Sequence, residues 1–192
     1  MEINNIKNNK GFTLIELMVA TSIFVVIMLS AMGALFMLMG ASKNSRALRS
    51  AMDNVNFSME SMTRSIRMGT NYYCGGGVPF SDSTSSNDCS GGDTAVSFIP
   101  QTPSDSQFPR IAYKIFPRGN GTYTLQRCEG SNSCVDIVSS DVDVKKLKFF
   151  VNGSSNSDSL QASVYIIMKG TVTVQGVPTS FALQTMASQR NF

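Results

Sequence analysis

Gly11-Phe12-Thr13-Leu14-Ile15-Glu16-Leu17 opens the most apolar stretch of a 192-residue chain, and the stretch behind it decides the fold. The 26 residues from Leu17 to Ser42 (LMVATSIFVVIMLSAMGALFMLMGAS) carry no charge. As an α-helix, at about 1.5 Å per residue, this run covers roughly 39 Å and crosses a hydrocarbon core of about 30 Å with some tilt. Leu, Ile, Val, Met, Phe and Ala all round, with Gly33 and Gly40, is the composition of a membrane-spanning helix.

Ahead of it, Met1–Lys10 holds Glu2, Lys7 and Lys10. With the terminal amine these predict a short cytoplasmic head and translocation of everything after the span. A cleaved secretory signal has the same outline, with Ala31-Met32-Gly33 as its small-x-small site. The apolar run continues past that point through Leu35, Phe36, Met37, Leu38 and Met39, longer than such a signal needs. Glu16 also counts against it. An ionised carboxylate in a lipid-embedded helix costs about 2.5–3.5 kcal/mol at mid-bilayer, so a disposable segment has no use for one. Either Glu16 has a cationic partner, or it snorkels to water at the interface.

The string Gly11-Phe12-Thr13-Leu14-Ile15-Glu16 before a long apolar run resembles the prepilin processing motif of type IV pilins and type II secretion pseudopilins. The resemblance covers the leader and the apolar helix, about the first quarter of the chain. It implies that a membrane-bound prepilin peptidase cuts after Gly11, that the same enzyme methylates the new terminal residue Phe12, and that Glu16 guides assembly into a helical filament. Other pilin or pseudopilin subunits and membrane lipids are the implied partners. The implied location is the bacterial inner membrane, crossed once, with the remainder in the periplasm or outside the cell, built into a pilus or pseudopilus. Methylation leaves the Phe12 amine cationic, so it is a candidate counter-ion for Glu16 of a neighbouring subunit, an attraction that a low dielectric strengthens. Major pilins carry a proline about two-thirds along the apolar run, where this chain has Gly33. Glycine weakens a helix by about 1 kcal/mol relative to alanine, and it also lets helices approach closely in membranes.

Past Ser42 the pattern changes. Leu48, Met52, Val55, Met59, Met62 and Ile66 step by three and four, one apolar stripe along a helix. Arg49, Asp53, Glu60, Arg64 and Arg67 lie off it, with Glu60–Arg64 in the favourable i,i+4 order. Nothing breaks the helix before Gly69 and the turn-rich Asn71–Gly77. One helix from Phe12 to about Met68 is expected, its rear part packed on a globular head rather than in a coiled coil, because the stripe lasts under three heptads. Lys43, Arg46 and Arg49 just beyond the span are read as a solvated face, with lipid headgroups or acids of a next subunit as alternatives.

The rest reads as a strand-rich head. Gly75–Gln107 is expected to be a long surface loop holding one short strand, Thr94–Ile99. Strands are expected at Arg110–Phe116, Thr122–Arg127, Cys134–Val138, Val144–Val151, Leu160–Met168, Thr171–Val174 and Ser180–Ala187. Short turns between them, such as Arg118-Gly119-Asn120-Gly121, favour an antiparallel sheet of about four to seven strands. The fold class is therefore α+β. It is pilin-like in outline: a leader at 1–11, a spanning and filament-core helix at 12–42, an amphipathic continuation at 43–68 and a β-rich head at 69–192.

All four cysteines, Cys74, Cys89, Cys128 and Cys134, follow the span. An even number in a translocated domain argues for disulfides. Cys74–Cys89 with Cys128–Cys134 is the chosen pairing, since each closes a polar loop. Zinc held by four thiolates is the rival, but the spacings do not make paired C-x₂₋₄-C knuckles. Asp82, Asp88 and Asp93 share one hydroxyl-rich loop and are weighed as calcium ligands or solvated turn residues, without the EF-hand order. Gly75-Gly76-Gly77 lacks the lysine of a phosphate cradle. No metal site and no cofactor are expected.

Composition narrows the function. Histidine is absent, which removes Ser-His-Asp and Cys-His nucleophile arrangements and His-containing zinc sites. A net charge of +3, with 16 Lys plus Arg against 13 Asp plus Glu, falls short of a nucleic-acid footprint. The expectation is a structural subunit, a minor pilin or pseudopilin, with no small-molecule substrate. Its length and head size most resemble the J-type minor pseudopilins. The alternatives are a pilus-tip adhesion or DNA-uptake subunit, using an exposed patch around Tyr72, Tyr73 and Phe80, and a membrane-anchored exported hydrolase using Ser or Asp.

Overall fold

A computed structural model describes residues 11–101, 110–130, 133–155 and 160–190. The leader residues 1–10, the end of the expected 75–107 loop and the tip between Cys128 and Cys134 at 131–132 lie outside the described residues. One helix, α1 (Leu14–Arg67), is followed by nine strands: β1 (Gly69–Cys74), β2 (Cys89–Asp93), β3 (Ala95–Pro100), β4 (Ile111–Pro117), β5 (Tyr123–Glu129), β6 (Cys134–Asp136), β7 (Val142–Asn152), β8 (Ser163–Val174) and β9 (Val177–Ser188). The chain divides into two compact units, Met1–Ser45 and Arg46–Phe192.

The first unit is the apolar part of α1. Its side chains are exposed along the whole described length, Leu, Ile, Val, Met and Phe included. The helix continues unbroken through Gly33 and Gly40, and beyond the adjoining helix backbone nothing lies within 4 Å of where a Cβ would stand on either glycine. A helix with this much bare hydrocarbon is stable only where something other than water covers it.

In the second unit the remaining turns of α1 bury one stripe. Ala51, Val55, Ser58, Met59, Met62 and Ile66 are buried, with Leu48 and Met52 packed at the margin. This is intrachain packing, and it uses the residues whose spacing marked the stripe. Each apolar side chain so buried stabilises by about 1.5–3 kcal/mol. Arg64 and Arg67 occupy the last turn, where cations complement the helix dipole. The Tyr72 hydroxyl lies 2.7 Å from the Ile66 carbonyl and 2.7 Å from that of Gly69, capping the helix end.

The strands form two antiparallel sheets, ordered β1-β3-β4-β5-β6 and β2-β7-β8-β9. The strands do not make the single sheet that the short turns favour: β7, β8 and β9, with β2 on their edge, form a second layer. Leu147, Phe149, Ile166 and Met168 of that layer join Phe98, Tyr113 and Leu125 of the first and the α1 stripe in one core. Strand β7 makes the junction, meeting β1, β3, β4 and β5. Its burial alternates from Val142 to Val144, skips across exposed Lys145 and Lys146, and resumes at Leu147, Phe149 and Val151. A register shift between Val144 and Lys146 accounts for the skip, since one extra residue reverses which face side chains occupy.

Two strands arise where only a loop was expected, β1 and β2. The two strands expected at Leu160–Met168 and Thr171–Val174 are one, β8, continuous through Gly170. A Cβ at Gly170 would strike the Asp143 carbonyl oxygen and the Phe181 ring, so glycine here permits close strand and ring approach rather than a turn.

Candidate functional site

The N-terminal segment is built by a capping sequence. Gly11, Phe12 and Thr13 precede the helix, and the Glu16 amide donates to Thr13 Oγ1 at 3.3 Å while the Leu17 amide donates to the Thr13 carbonyl at 3.2 Å. Thr13 is thus the N-cap and Glu16 stands three residues on, the Thr-x-x-Glu order of a capping box. The acid sits in the first turn, where the helix dipole favours negative charge. Gly11 and Phe12 are exposed, Phe12 to 81%, so the peptide bond between them lies in open, non-helical backbone directly before the apolar helix. A cut at that bond would leave the whole apolar run on the product.

Residues 6–32 match the family described as the prokaryotic N-terminal methylation motif. This is a type IV pilin and pseudopilin type of N-terminus. In proteins with such an N-terminus the motif goes with processing by a prepilin peptidase and assembly with other pilins. With one long apolar helix and two antiparallel sheets, the fold is α+β and pilin-like. No curated protein and no solved structure matches the chain.

In the β-rich head the cysteines are joined Cys74–Cys89 and Cys128–Cys134. The first bond ties β1 of one sheet to β2 of the other. The second ties directly opposed residues of the β5–β6 hairpin. With all four sulfurs in disulfides, no thiolate is left for zinc.

Asp82, Asp88 and Asp93 are each engaged separately. Asp82 accepts from the amide and hydroxyl of Thr84 and of Ser85, donors that hold its carboxyl well below the usual range. Asp88 accepts the Gly153 and Ser154 amides at 3.1 and 2.9 Å, joining the loop to the end of β7. Asp93 accepts from Thr94. Among the described residues no three of His, Cys, Asp or Glu gather as a metal site.

An exposed aromatic patch around Tyr72, Tyr73 and Phe80, the feature that would favour the adhesion or DNA-uptake alternative, is interrupted at Tyr72. Tyr72 is 1% exposed, its ring 6.2 Å from that of Phe98, and Tyr73 and Phe80 are half-buried. Alternation in β1 turns Tyr72 inward.

Two arginines that the sequence reading passed over organise the head. Arg110 is fully buried, donating from Nε to the Asp82 carbonyl at 2.5 Å, from Nη1 to that of Asn71 at 2.7 Å, and from Nη2 to that of Ser85. Burial lowers its pKa from the ordinary value, while the negative charge of Asp82 acts the other way. Arg118 spans the 138–142 turn, reaching the Val142 carbonyl at 2.9 Å, Thr124 Oγ1 at 2.9 Å and Asp136 at 3.2 Å. Partial burial works against ionisation of Asp136, but donors from Gln126, Thr124 and Arg118 bring its carboxyl below the usual range. Arg118 was legible as part of a turn; nothing local in the sequence marks Arg110.

Proposed function

We propose that this chain is a structural subunit, a minor pilin or pseudopilin, of a type IV pilus or type II secretion filament. Prepilin peptidase removes residues 1–11 and methylates Phe12. The helix from residue 12 to about 42 then anchors the subunit in the inner membrane and later packs in the filament core, with the disulfide-bonded head in the periplasm or outside the cell. The observation that carries this reading is the exposed, non-helical Gly11–Phe12 bond inside a methylation motif and directly ahead of a fully exposed apolar helix. Glu16 supplies the assembly contact. Once the leader is gone, its carboxylate meets the cationic methylated amine of a neighbour in a low-dielectric setting, where each offsets the desolvation of the other.

The deciding measurement is the intact mass of the protein from cells with and without prepilin peptidase. Loss of residues 1–11 and gain of one methyl group on Phe12, both dependent on that enzyme, are expected. An uncut product, or a cut near Gly33, removes the filament reading.

A further inference from the structure

Three cations stand just past the apolar run of α1. Lys43, Arg46 and Arg49 are exposed, and among the described residues none of them makes an ion pair. No acid lies between Glu16 and Asp53, and the acid after that, Glu60, is 2.9 Å from Arg64. Residues 43–49 therefore hold a charge of +3, the formal net charge of the whole chain.

Their spacing puts them on one side of the helix. At about 100° per residue, Lys43 and Arg49 fall about 60° to either side of Arg46, and Arg46 stands opposite the buried Val55. Helical side chains lean toward the helix N-terminus, so all three point back toward the apolar run. From Leu14 to Lys43 the helix rises about 44 Å, against about 40–45 Å for a bilayer with its headgroups. Lys43 thus comes level with headgroups, and Arg46 and Arg49 stand about 4.5 and 9 Å further out, near one screening length. The stretch from Gly11 to Met52 has no Trp and no Tyr, the residues that ordinarily anchor a span at the interface. Cations beyond a span also work against translocation, a cost that a merely solvated face has no reason to carry.

We infer that Lys43, Arg46 and Arg49 bind the phosphate groups of anionic phospholipids in the leaflet from which the helix emerges, and so fix the depth of the span. The inference rests on the reading of the apolar run as a membrane span, and is independent of leader removal and filament assembly. Each contact is a charge-assisted hydrogen bond to a phosphate oxygen, and a Lys or Arg near an anionic surface is worth about a fivefold gain in association. Without interfacial aromatic residues, these contacts set where the helix rides.

The uncut full-length chain is placed in phosphatidylcholine vesicles holding a minor share of phosphatidylglycerol. Boundary lipid is then read by electron spin resonance, with each lipid spin-labelled in turn. Phosphatidylglycerol is expected at the protein in preference to phosphatidylcholine by about threefold or more, the preference shrinking as salt rises. Lys43→Gln/Arg46→Gln/Arg49→Gln, which changes only exposed side chains, should insert as well as the parent and lose most of the preference. Lys7→Gln/Lys10→Gln should keep it. Equal retention of the two lipids by the inserted parent, or a preference that survives the triple substitution, overturns the inference while leaving the span in place. So does a preference that goes with Lys7 and Lys10. Cross-linking between copies that needs the three cations, without headgroup preference, assigns them to a neighbour's acids and overturns it too. A chain that alkaline carbonate extracts from the vesicles fails the membrane reading and takes this inference with it.

Discussion

Asn71 takes a φ of 50°, and its carbonyl oxygen lies 2.7 Å from Nη1 of Arg110, thirty-nine residues further along the chain. The register of β1 against β3 shifts between Thr70 and Tyr73, so Asn71 sits at an irregularity and turns its carbonyl out of the ladder. Asparagine tolerates this left-handed backbone better than most residues. The guanidinium then fastens that carbonyl together with those of Asp82 and Ser85, closing the 71–85 loop over a buried cation.

Arg110→Met should therefore leave three carbonyls without their donor and cost about 3 kcal/mol, read as a lowered urea midpoint. Hydrogen exchange should rise within 71–85 before it rises in β7 or β8. Arg110→Lys should recover only part of the loss, because an ammonium lacks the forked donors. A midpoint unchanged in Arg110→Met would show that the loop is held by other contacts.

The two disulfides should differ in weight. Closing the 15-residue separation of Cys74–Cys89 removes about 3 kcal/mol of unfolded-chain freedom, and the six-residue Cys128–Cys134 about 2 kcal/mol. The first also joins two sheets, whereas the second repeats a link that the β5–β6 ladder already makes. Cys74→Ala/Cys89→Ala is expected to lower the thermal midpoint more than Cys128→Ala/Cys134→Ala. Equal losses would mean that the inter-sheet link adds nothing beyond chain closure.

How legible the molecule was depends on the range over which each feature is encoded. The stripe Leu48–Ile66 and the alternation in β8 are short-period patterns, and the buried residues fall on them. Strand β2 reads Cys-Ser-Gly-Gly-Asp, without a β-branched or aromatic residue; it pairs with β7 because the disulfide and Asp88 hold it there. Strand β1 was hidden behind the glycines that follow it. The division into two sheets depends on which strand meets β7, and Arg110 depends on carbonyls at 71, 82 and 85, so neither leaves a local trace. The N-terminal motif was the most legible part, since the glycine, the acid and the apolar run are contiguous, whereas the cap on Thr13 shows only in the structure.

Alkaline pH tests the cap on α1. Burial pushes the Tyr72 phenol above its ordinary value of 10.0. The folded state holds this proton more tightly than the unfolded state does, so the stabilisation is intact below about pH 10 and declines as pH rises beyond it. Tyr72→Phe should cost about 1 kcal/mol at neutral pH through the lost hydrogen bond to the Ile66 or Gly69 carbonyl. It should also flatten the decline above pH 10. Parallel stability curves for the two proteins across pH 9–12 would assign the alkaline loss elsewhere.

Glu16 can be separated into its charge and its place in the helix cap. The cap uses the residue's backbone amide on Thr13 Oγ1, which any side chain at position 16 preserves. Glu16→Gln keeps the size and polarity of the side chain and removes only the charge; Glu16→Ala removes both. Either change relieves a carboxylate cost of about 2.5–3.5 kcal/mol in lipid, so both variants should enter the membrane at least as well as the parent. If the carboxylate pairs with the methylated Phe12 amine of a neighbour, both should be depleted from the sheared filament fraction to a similar degree, while membrane levels stay unchanged. If the acid merely reaches interfacial water, Glu16→Gln should assemble normally. Thr13→Ala is the control for the cap: it should cost about 1 kcal/mol of helix stability while leaving the charge in place. Filaments that take up Glu16→Gln as readily as the parent would remove the ion pair from the assembly mechanism and leave position 16 only its part in starting the helix.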